Sequence, residues 1–322
     1  MPLFNSIGLH SDRFHTNFIL TGSILIIAAA LTACGTTESS TELSEDEHLQ
    51  VVEQWHAERI EGLKETDGWL KLAGLFWLDE GVNTFGSASG NDVRFPEGTV
   101  PANAGYYELD GETVTLHRDQ SMDITLEDGS VLQDSVIFSP DVSKTLQYGE
   151  LTWTVIQRED LIGIRLFDEN SPYYTGFEGF DRYPVDINWR FEADFVPHED
   201  KSTIEVTNIL GQTVERDSPG KLVFEVDGEE HSLAAIDTGD SFFIPFADAT
   251  NRDETYGSGR FIYTDLPDEE GKVTIDFNKA YNPPCAYNPY TTCQLPPEPN
   301  RLSISITAGE KDYPLTEVMS ER

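Results

Sequence analysis

"YYELDGETVTLH", residues 106–117, is the stretch from which the fold reads outward. "TVTLH" alternates β-branched or apolar residues with polar ones, the two-residue period of a half-buried strand. Asp110-Gly111 stands between the two runs, and this dipeptide tolerates the positive φ angles of a two-residue turn. The segment therefore predicts a β-hairpin. The same grammar continues on both sides, in "GVNTFGS" (81–87), "MDITLEDGSVL" (122–132), "LTWTVIQRED" (151–160) and "LIGIRLFD" (161–168). Asp128-Gly129 repeats the hairpin signal, and no long helical pattern interrupts before residue 170. An antiparallel sandwich is the natural expectation.

A Gly-, Pro- and Tyr-rich connector, "NSPYYTGFEGFDRYPVD" (170–186), precedes a second β-rich region. Its runs are "INWRFEADFV", "STIEVTNI", "KLVFEVDGEEHSLAAI", "SFFIPF", "GRFIYTDL" and "KVTIDFN", with another hairpin at Asp227-Gly228. Upstream of all the strands, Leu49, Val52, Trp55, His56, Ile60 and Leu63 recur at helical spacing, behind a capping-box pair, Ser44 and Glu47. The expected fold is mainly β: two antiparallel β-sandwich-like domains preceded by one N-terminal amphipathic helix. The expected boundaries are a leader at 1–33, a tether at 34–47, a first domain at 48–175 and a second at 176–322.

The 322 residues carry 58 Asp and Glu against 21 Lys and Arg, a formal charge of -37. That balance excludes nucleic-acid binding, which needs clustered cations to neutralise phosphate. It also disfavours docking on anionic lipid through a basic patch. Carboxylates suit calcium. No D-x-[DN]-x-[DN]-G loop occurs, however, so no cofactor is predicted and calcium rests on charge alone.

Residues 18–33, "FILTGSILIIAAALTA", form an apolar run too short for a free-standing membrane helix. A polar segment with His10, Arg13 and His15 precedes it, and Cys34 follows. This is the layout of a secretory signal. Leu31-Thr32-Ala33-Cys34 resembles the lipobox of bacterial lipoproteins. The resemblance implies cleavage before Cys34, a diacylglyceryl group on its sulfur, and membrane attachment in a bacterial cell envelope. Gly35 implies sorting to the outer membrane, facing the periplasm. The Ser-, Thr- and Glu-rich "GTTESSTELSEDE" (35–47) would be the tether.

"DFNKAYNPPCAYNPYTTCQLPPEPNRL" (276–302) is crowded with Pro, Asn and Tyr and holds Cys285 and Cys293. In an oxidising envelope these two cysteines are expected to pair, closing a short loop and contributing about 2–3 kcal/mol. Two roles are open to the loop. Its amides could replace missing ladder bonds between rigid proline segments. Alternatively, its Tyr and Asn side chains could present a preorganised surface to an envelope sugar, peptide or protein. Asp248, Glu254, Tyr256, Arg260, Asp276, Asn278, Asn282, Asn300 and Arg301 form the candidate binding or catalytic cluster. As an enzyme, the protein would be a carboxylate-dependent hydrolase acting on envelope glycans. Glu254 and Asp276 would be acid and base, and Arg260 or Arg301 would steady developing charge. No nucleophile or histidine motif supports that activity, so a noncatalytic binding module ranks first, and a calcium-stabilised structural module last.

Three blocks, "GWLKLAGLFWLDEGVNTFGSASGNDVRFP" (68–96), "FADATNRDETYGSGRFIY" (246–263) and the 276–302 stretch, resemble the domain of unknown function 1684 family. The resemblance runs from about residue 50 to 311 and implies a shared fold without assigning chemistry. The first half also resembles a forkhead-associated sandwich through Gly86-Ser87 and Asn91-Asp92-Val93. Pro101-Ala102-Asn103-Ala104 stands where that fold carries Ser and His, and the phosphate-gripping Arg is absent. The resemblance therefore implies shape and not phosphothreonine recognition.

Overall fold

In the computed structural model, which describes residues 43–133 and 135–315, strand Gly105–Asp110 pairs with Thr113–Arg118 across the two-residue turn Gly111-Glu112, one residue on from the expected Asp110-Gly111. Gly111 takes a φ of 58°, the conformation the turn demands. At Asp227-Gly228 both residues have positive φ, 53° and 82°, as a primed hairpin turn requires. That turn joins Gly220–Val226 to Glu229–Ala234. The leader, Cys34 and residues 35–42 of the expected tether lie outside the described residues.

Two sheets build the first half. One has six strands, in the order Val93–Arg94, Gly81–Gly86, Gly105–Asp110, Thr113–Arg118, Val136–Ser139 and Val142–Ser143. The other has five: Leu72–Trp77, Leu161–Asp168, Leu151–Arg158, Leu146–Tyr148 and Thr125–Leu126. Phe85, Phe95, Tyr107, Trp153, Ile164 and Leu166 pack between them in one core. In the second half a four-stranded sheet (Glu229–Ala234, Gly220–Val226, Arg190–Pro197, Lys272–Asp276) faces a three-stranded one (Ile236–Asp237, Ser241–Phe246, Arg260–Asp265). Leu222, Phe246, Phe277 and Ile306 are among the residues that fill that core. Strand pairing is antiparallel apart from Gly81–Gly86 with Val93–Arg94. The protein is mainly β, with an N-terminal helix as expected. A separate two-stranded hairpin, Thr203–Thr207 with Thr213–Asp217, stands beside the second pair of sheets.

The helix runs Glu45–Lys64. Glu45, Asp46 and Glu47, assigned to the tether by composition, form its acidic first turn, where the helix dipole favours negative charge. Its buried residues are His48, Val52, His56 and Leu63. Leu49, expected on the apolar stripe, is 42% exposed. Val52, His56 and Leu63 of the expected stripe are buried, and His48 joins them through its bond to Asp276, 2.8 Å away. The polar anchors of the helix lie in the second β region. His56 Nε2 bonds to the Asn278 carbonyl at 3.0 Å, and Arg59 donates to the Asn282 carbonyl at 3.0 Å. Arg182 adds a two-pronged contact to Glu53, at 2.6 and 2.7 Å.

Candidate functional site

The sequence-derived cluster does not hold together as one site. Asp248 and Arg260 form an ion pair at 2.8 Å with both side chains fully buried. The other guanidinium bonds go to main-chain carbonyls: Ile306 at 2.9 Å, Glu310 at 3.3 Å, and Ala308. Asp248 Oδ1 accepts from the Thr250 amide at 2.8 Å and its hydroxyl at 2.6 Å. Ion and counter-ion therefore hold two loops together, with Arg260 Nε buried and without an acceptor among the described residues.

Asp276 and Asn278 lie under the helix. Asp276 Oδ2 meets His48, and Oδ1 accepts from the Asn278 amide group at 2.9 Å. The Asn278 side chain also exchanges two bonds with the backbone of Asp186, at 2.8 and 2.9 Å, reproducing a ladder pair. The imidazole of His56, above the Asn278 carbonyl, is pulled down to about 4 by burial first and by the charge of Arg182 second. With Nε2–H donating, a proton on Nδ1 would find no acceptor. A group with a lowered folded value contributes stability above its ordinary value near 6.5, and loses it as pH falls from there toward 4. Urea melts at pH 7 and pH 4 should therefore show the wild type losing on the order of 2–3 kcal/mol more than His56→Gln, which keeps the donor but does not titrate. Equal losses would mean that His56 is charged in the fold.

Glu254, Tyr256 and Arg301 are elsewhere. Glu254 is exposed, 3.9 Å from Lys311. Tyr256 packs, partly buried, against the Leu63, Leu70, Tyr287 and Tyr313 cluster. Arg301 is exposed and donates to the Pro296 carbonyl at 3.0 Å. Glu254 and Asp276 thus share no partner, and Arg260 is sealed in another network. Among the described residues no hydrogen bond joins the two carboxyls expected as acid and base: Asp276 is buried against His48 and Glu254 is exposed beside Lys311.

The Cys-, Pro- and Asn-rich loop is also corrected. Asn282, Asn288 and Asn300 are fully buried, as is Tyr287. Asn300 bonds both main-chain groups of Ala234, at 2.7 and 3.1 Å, and the Pro245 carbonyl at 3.0 Å, tying sheet edges together. Asn288 donates to the Leu72 carbonyl at 2.8 Å, linking the loop to the first half. The amides serve the fold because prolines have removed the N–H groups a ladder would use. They do not form an exposed recognition face. The sulfurs of Cys285 and Cys293 lie within bonding distance, with Cα atoms 6.1 Å apart, inside the range a disulfide spans.

Glu310, absent from the sequence-derived cluster, stands at the centre of the third network. Fully buried, it accepts from Arg59 at 3.3 Å, the Asn282 amide at 2.7 Å and the Tyr287 hydroxyl at 2.5 Å. Burial pushes its carboxyl up, against the pull of Arg59, Tyr287 and Asn282. No sequence signal marks it, because its partners lie up to 251 residues away.

One concave surface borders the loop. A groove of about 470 Å³ runs between Thr203, Ile204, Glu205 and Thr207 on one side and Leu295, Pro296, Pro297 and Pro299 on the other, with Arg301 at its rim. Thr207 gives its carbonyl to the Leu295 amide at 2.8 Å, so the main-chain groups of Thr203, Glu205 and Thr207 point into the groove by strand alternation. Beyond that bond the chain diverges into prolines, and among the described residues the main-chain groups of Thr203 and Glu205 on that side have no partner. Among the described residues, no three His, Cys, Asp or Glu side chains group in a way that could hold a metal ion.

Residues 175–311 match the family described as protein of unknown function (DUF1684), so the matched span begins well beyond residue 50, where the resemblance was placed. No curated protein matches the chain. The solution NMR structure of an uncharacterized protein from Haloarcula marismortui is 32% identical, over 42% of this chain and 78% of that one, with a TM-score of 0.36.

Proposed function

We propose that this is a lipid-anchored, noncatalytic protein of the bacterial envelope that binds an extended polypeptide segment as an added strand. The observation that carries the reading is the free edge of Thr203–Thr207, opened onto a groove whose other wall is proline. A peptide laid against Thr203 and Glu205 would gain main-chain bonds, the source of affinity in strand addition. Ile204 lines the floor, and Leu295, Pro296 and Pro297 offer an apolar wall that resists collapse into the gap. Arg301 would meet a carboxylate on the peptide. The buried Asn and Tyr residues and a Cys285–Cys293 disulfide would keep that wall in place from behind. Cys34 would hold the protein on the membrane, with the Ser- and Glu-rich segment as spacer.

The test uses the full chain purified in detergent and a phage-displayed library of ten-residue peptides, with affinities read by fluorescence anisotropy. Glu205→Pro removes only an N–H that points into the groove. It is expected to weaken selected peptides about tenfold, the value of one or two hydrogen bonds, without lowering the melting temperature by more than a few degrees. In parallel, Cys34→Ser should move the protein out of the membrane fraction. Peptides that bind Glu205→Pro as well as wild type would remove the strand-addition reading, and unchanged fractionation would remove the anchor.

A further inference from the structure

Arg165 sits between Ile164 and Leu166 in strand Leu161–Asp168, both of which enter the first core. Its own side chain therefore leaves the opposite face of the sheet. The residue is 3% exposed, and its Nε and Nη2 are buried with no hydrogen-bond acceptor. Its guanidinium carbon lies 5.4 Å from the Trp69 ring. Among the described residues no carboxylate pairs with it. In a chain with 58 acidic side chains to choose from, that is the reverse of what a structural arginine shows.

Arg158 faces the same side. It belongs to the neighbouring strand Leu151–Arg158, whose Trp153 and Val155 point into the core. Arg158 lies opposite Leu161, four residues along the ladder from Arg165, about 13 Å at the usual strand rise and within reach of two long side chains. Its Nε donates to the Thr292 hydroxyl at 3.3 Å and its Nη1 to the Gln157 carbonyl at 2.8 Å. It too has no carboxylate partner among the described residues. Arg158 is only partly buried, so the pair has one wet end.

We infer that Arg165 and Arg158 form a binding site for a small oxyanion of the carboxylate, phosphate or sulfate type, enclosed between the first sandwich and the turn that carries Thr292. The free Nε and Nη2 of Arg165 supply the forked donor geometry that two oxygens of such an ion accept. The burial of Arg165 limits the occupant to a few heavy atoms, which excludes a nucleotide or a phosphopeptide. Burial and the nearby charge of Arg158 both push the Arg165 guanidinium down from its ordinary value, so an entering anion relieves a cost already present. The guanidinium keeps its proton at neutral pH. The site lies on the first sandwich, and the inference does not depend on the peptide groove.

The experiment is a set of thermal melts of the full chain in detergent. Phosphate, sulfate or acetate is titrated at constant ionic strength, with sodium chloride as balance. At least one oxyanion is expected to raise the melting temperature saturably, by about 5 °C near one hundred times its Kd. Arg165→Met should abolish that rise, and Arg158→Gln should weaken the ion about tenfold. The ion that saturates at the lowest concentration identifies the source. No saturable rise with any of the three, or a rise retained in Arg165→Met, would overturn the site and leave water as the partner of Arg165. If Arg165→Met does not fold, Arg158→Gln decides: calorimetric affinity equal to wild type overturns the inference, and a tenfold loss upholds it.

Discussion

Arg260→Ala is expected to destabilise the protein by about 3–5 kcal/mol, the cost of stranding a buried carboxylate after its partner is removed. Asp248 and Arg260 are both fully buried, so water cannot take the place of the missing guanidinium. The substitution also strips donors from the carbonyls of Ile306, Ala308 and Glu310, which lie in the segment that closes the second core. Arg260→Lys should fall between, at about 2 kcal/mol, because an ammonium keeps the charge but cannot fork across four acceptors. Replacing both partners, as Asp248→Leu with Arg260→Met, should recover part of the loss and not all of it, since the three carbonyls stay unpaired. Urea melts of the four proteins give this order directly. A loss under 1 kcal/mol in Arg260→Ala would show that the pair is hydrated in solution and free to do something else.

The comparison of sequence with structure has a physical pattern. The turns at Gly111-Glu112 and Asp227-Gly228 were legible because a two-residue turn depends on the φ preferences of its own residues, glycine above all. Strand alternation was legible for the same local reason. Asp248, Arg260, Asp276 and Asn278 read as one concentration of polar groups, but they belong to two networks whose partners the sequence does not announce. Asp276 is occupied by His48, 228 residues earlier, and that contact buries a histidine beside the apolar stripe of the helix. Arg260 meets Asp248, 12 residues away, as a hairpin end could allow, but its carbonyl partners lie 46–50 residues on. The asparagines of the proline-rich loop looked like recognition groups because exposure cannot be read from composition. Their burial follows from the prolines beside them, which leave carbonyls and amides of neighbouring segments to be satisfied by side chains. Arg165 is an anomaly the sequence itself shows. A charged residue inside "LIGIRLFD", an otherwise apolar strand, marks a position where the sheet face meets something polar.

Glu310→Ala should produce the second large effect, on the order of 4 kcal/mol, and it should be local in origin. The carboxylate is the shared acceptor for Arg59 on the helix, the Asn282 amide in the loop and the Tyr287 hydroxyl. Removing it leaves a largely buried guanidinium without its counter-ion and two buried donors without an acceptor, each with a desolvation cost of about 1–3 kcal/mol. Arg59 also lies 4.5 Å from the Tyr281 ring centroid and bonds to the Asn282 carbonyl, so its displacement frees the helix from the loop at several points together. The expected readout is hydrogen exchange. Amides of Glu45–Lys64 should lose protection in Glu310→Ala, while those of Leu151–Arg158 and Leu161–Asp168, packed in the other core, should keep theirs. Glu310→Gln retains the shape and one acceptor oxygen but directs an amide N–H₂ at groups that are themselves donors, and should cost about half as much. A helix that keeps its protection in Glu310→Ala would mean that His48, Val52 and His56 suffice to hold it, and that the buried carboxylate is spared for a reaction partner, which would make Glu310 and Tyr287 the first groups to test for chemistry.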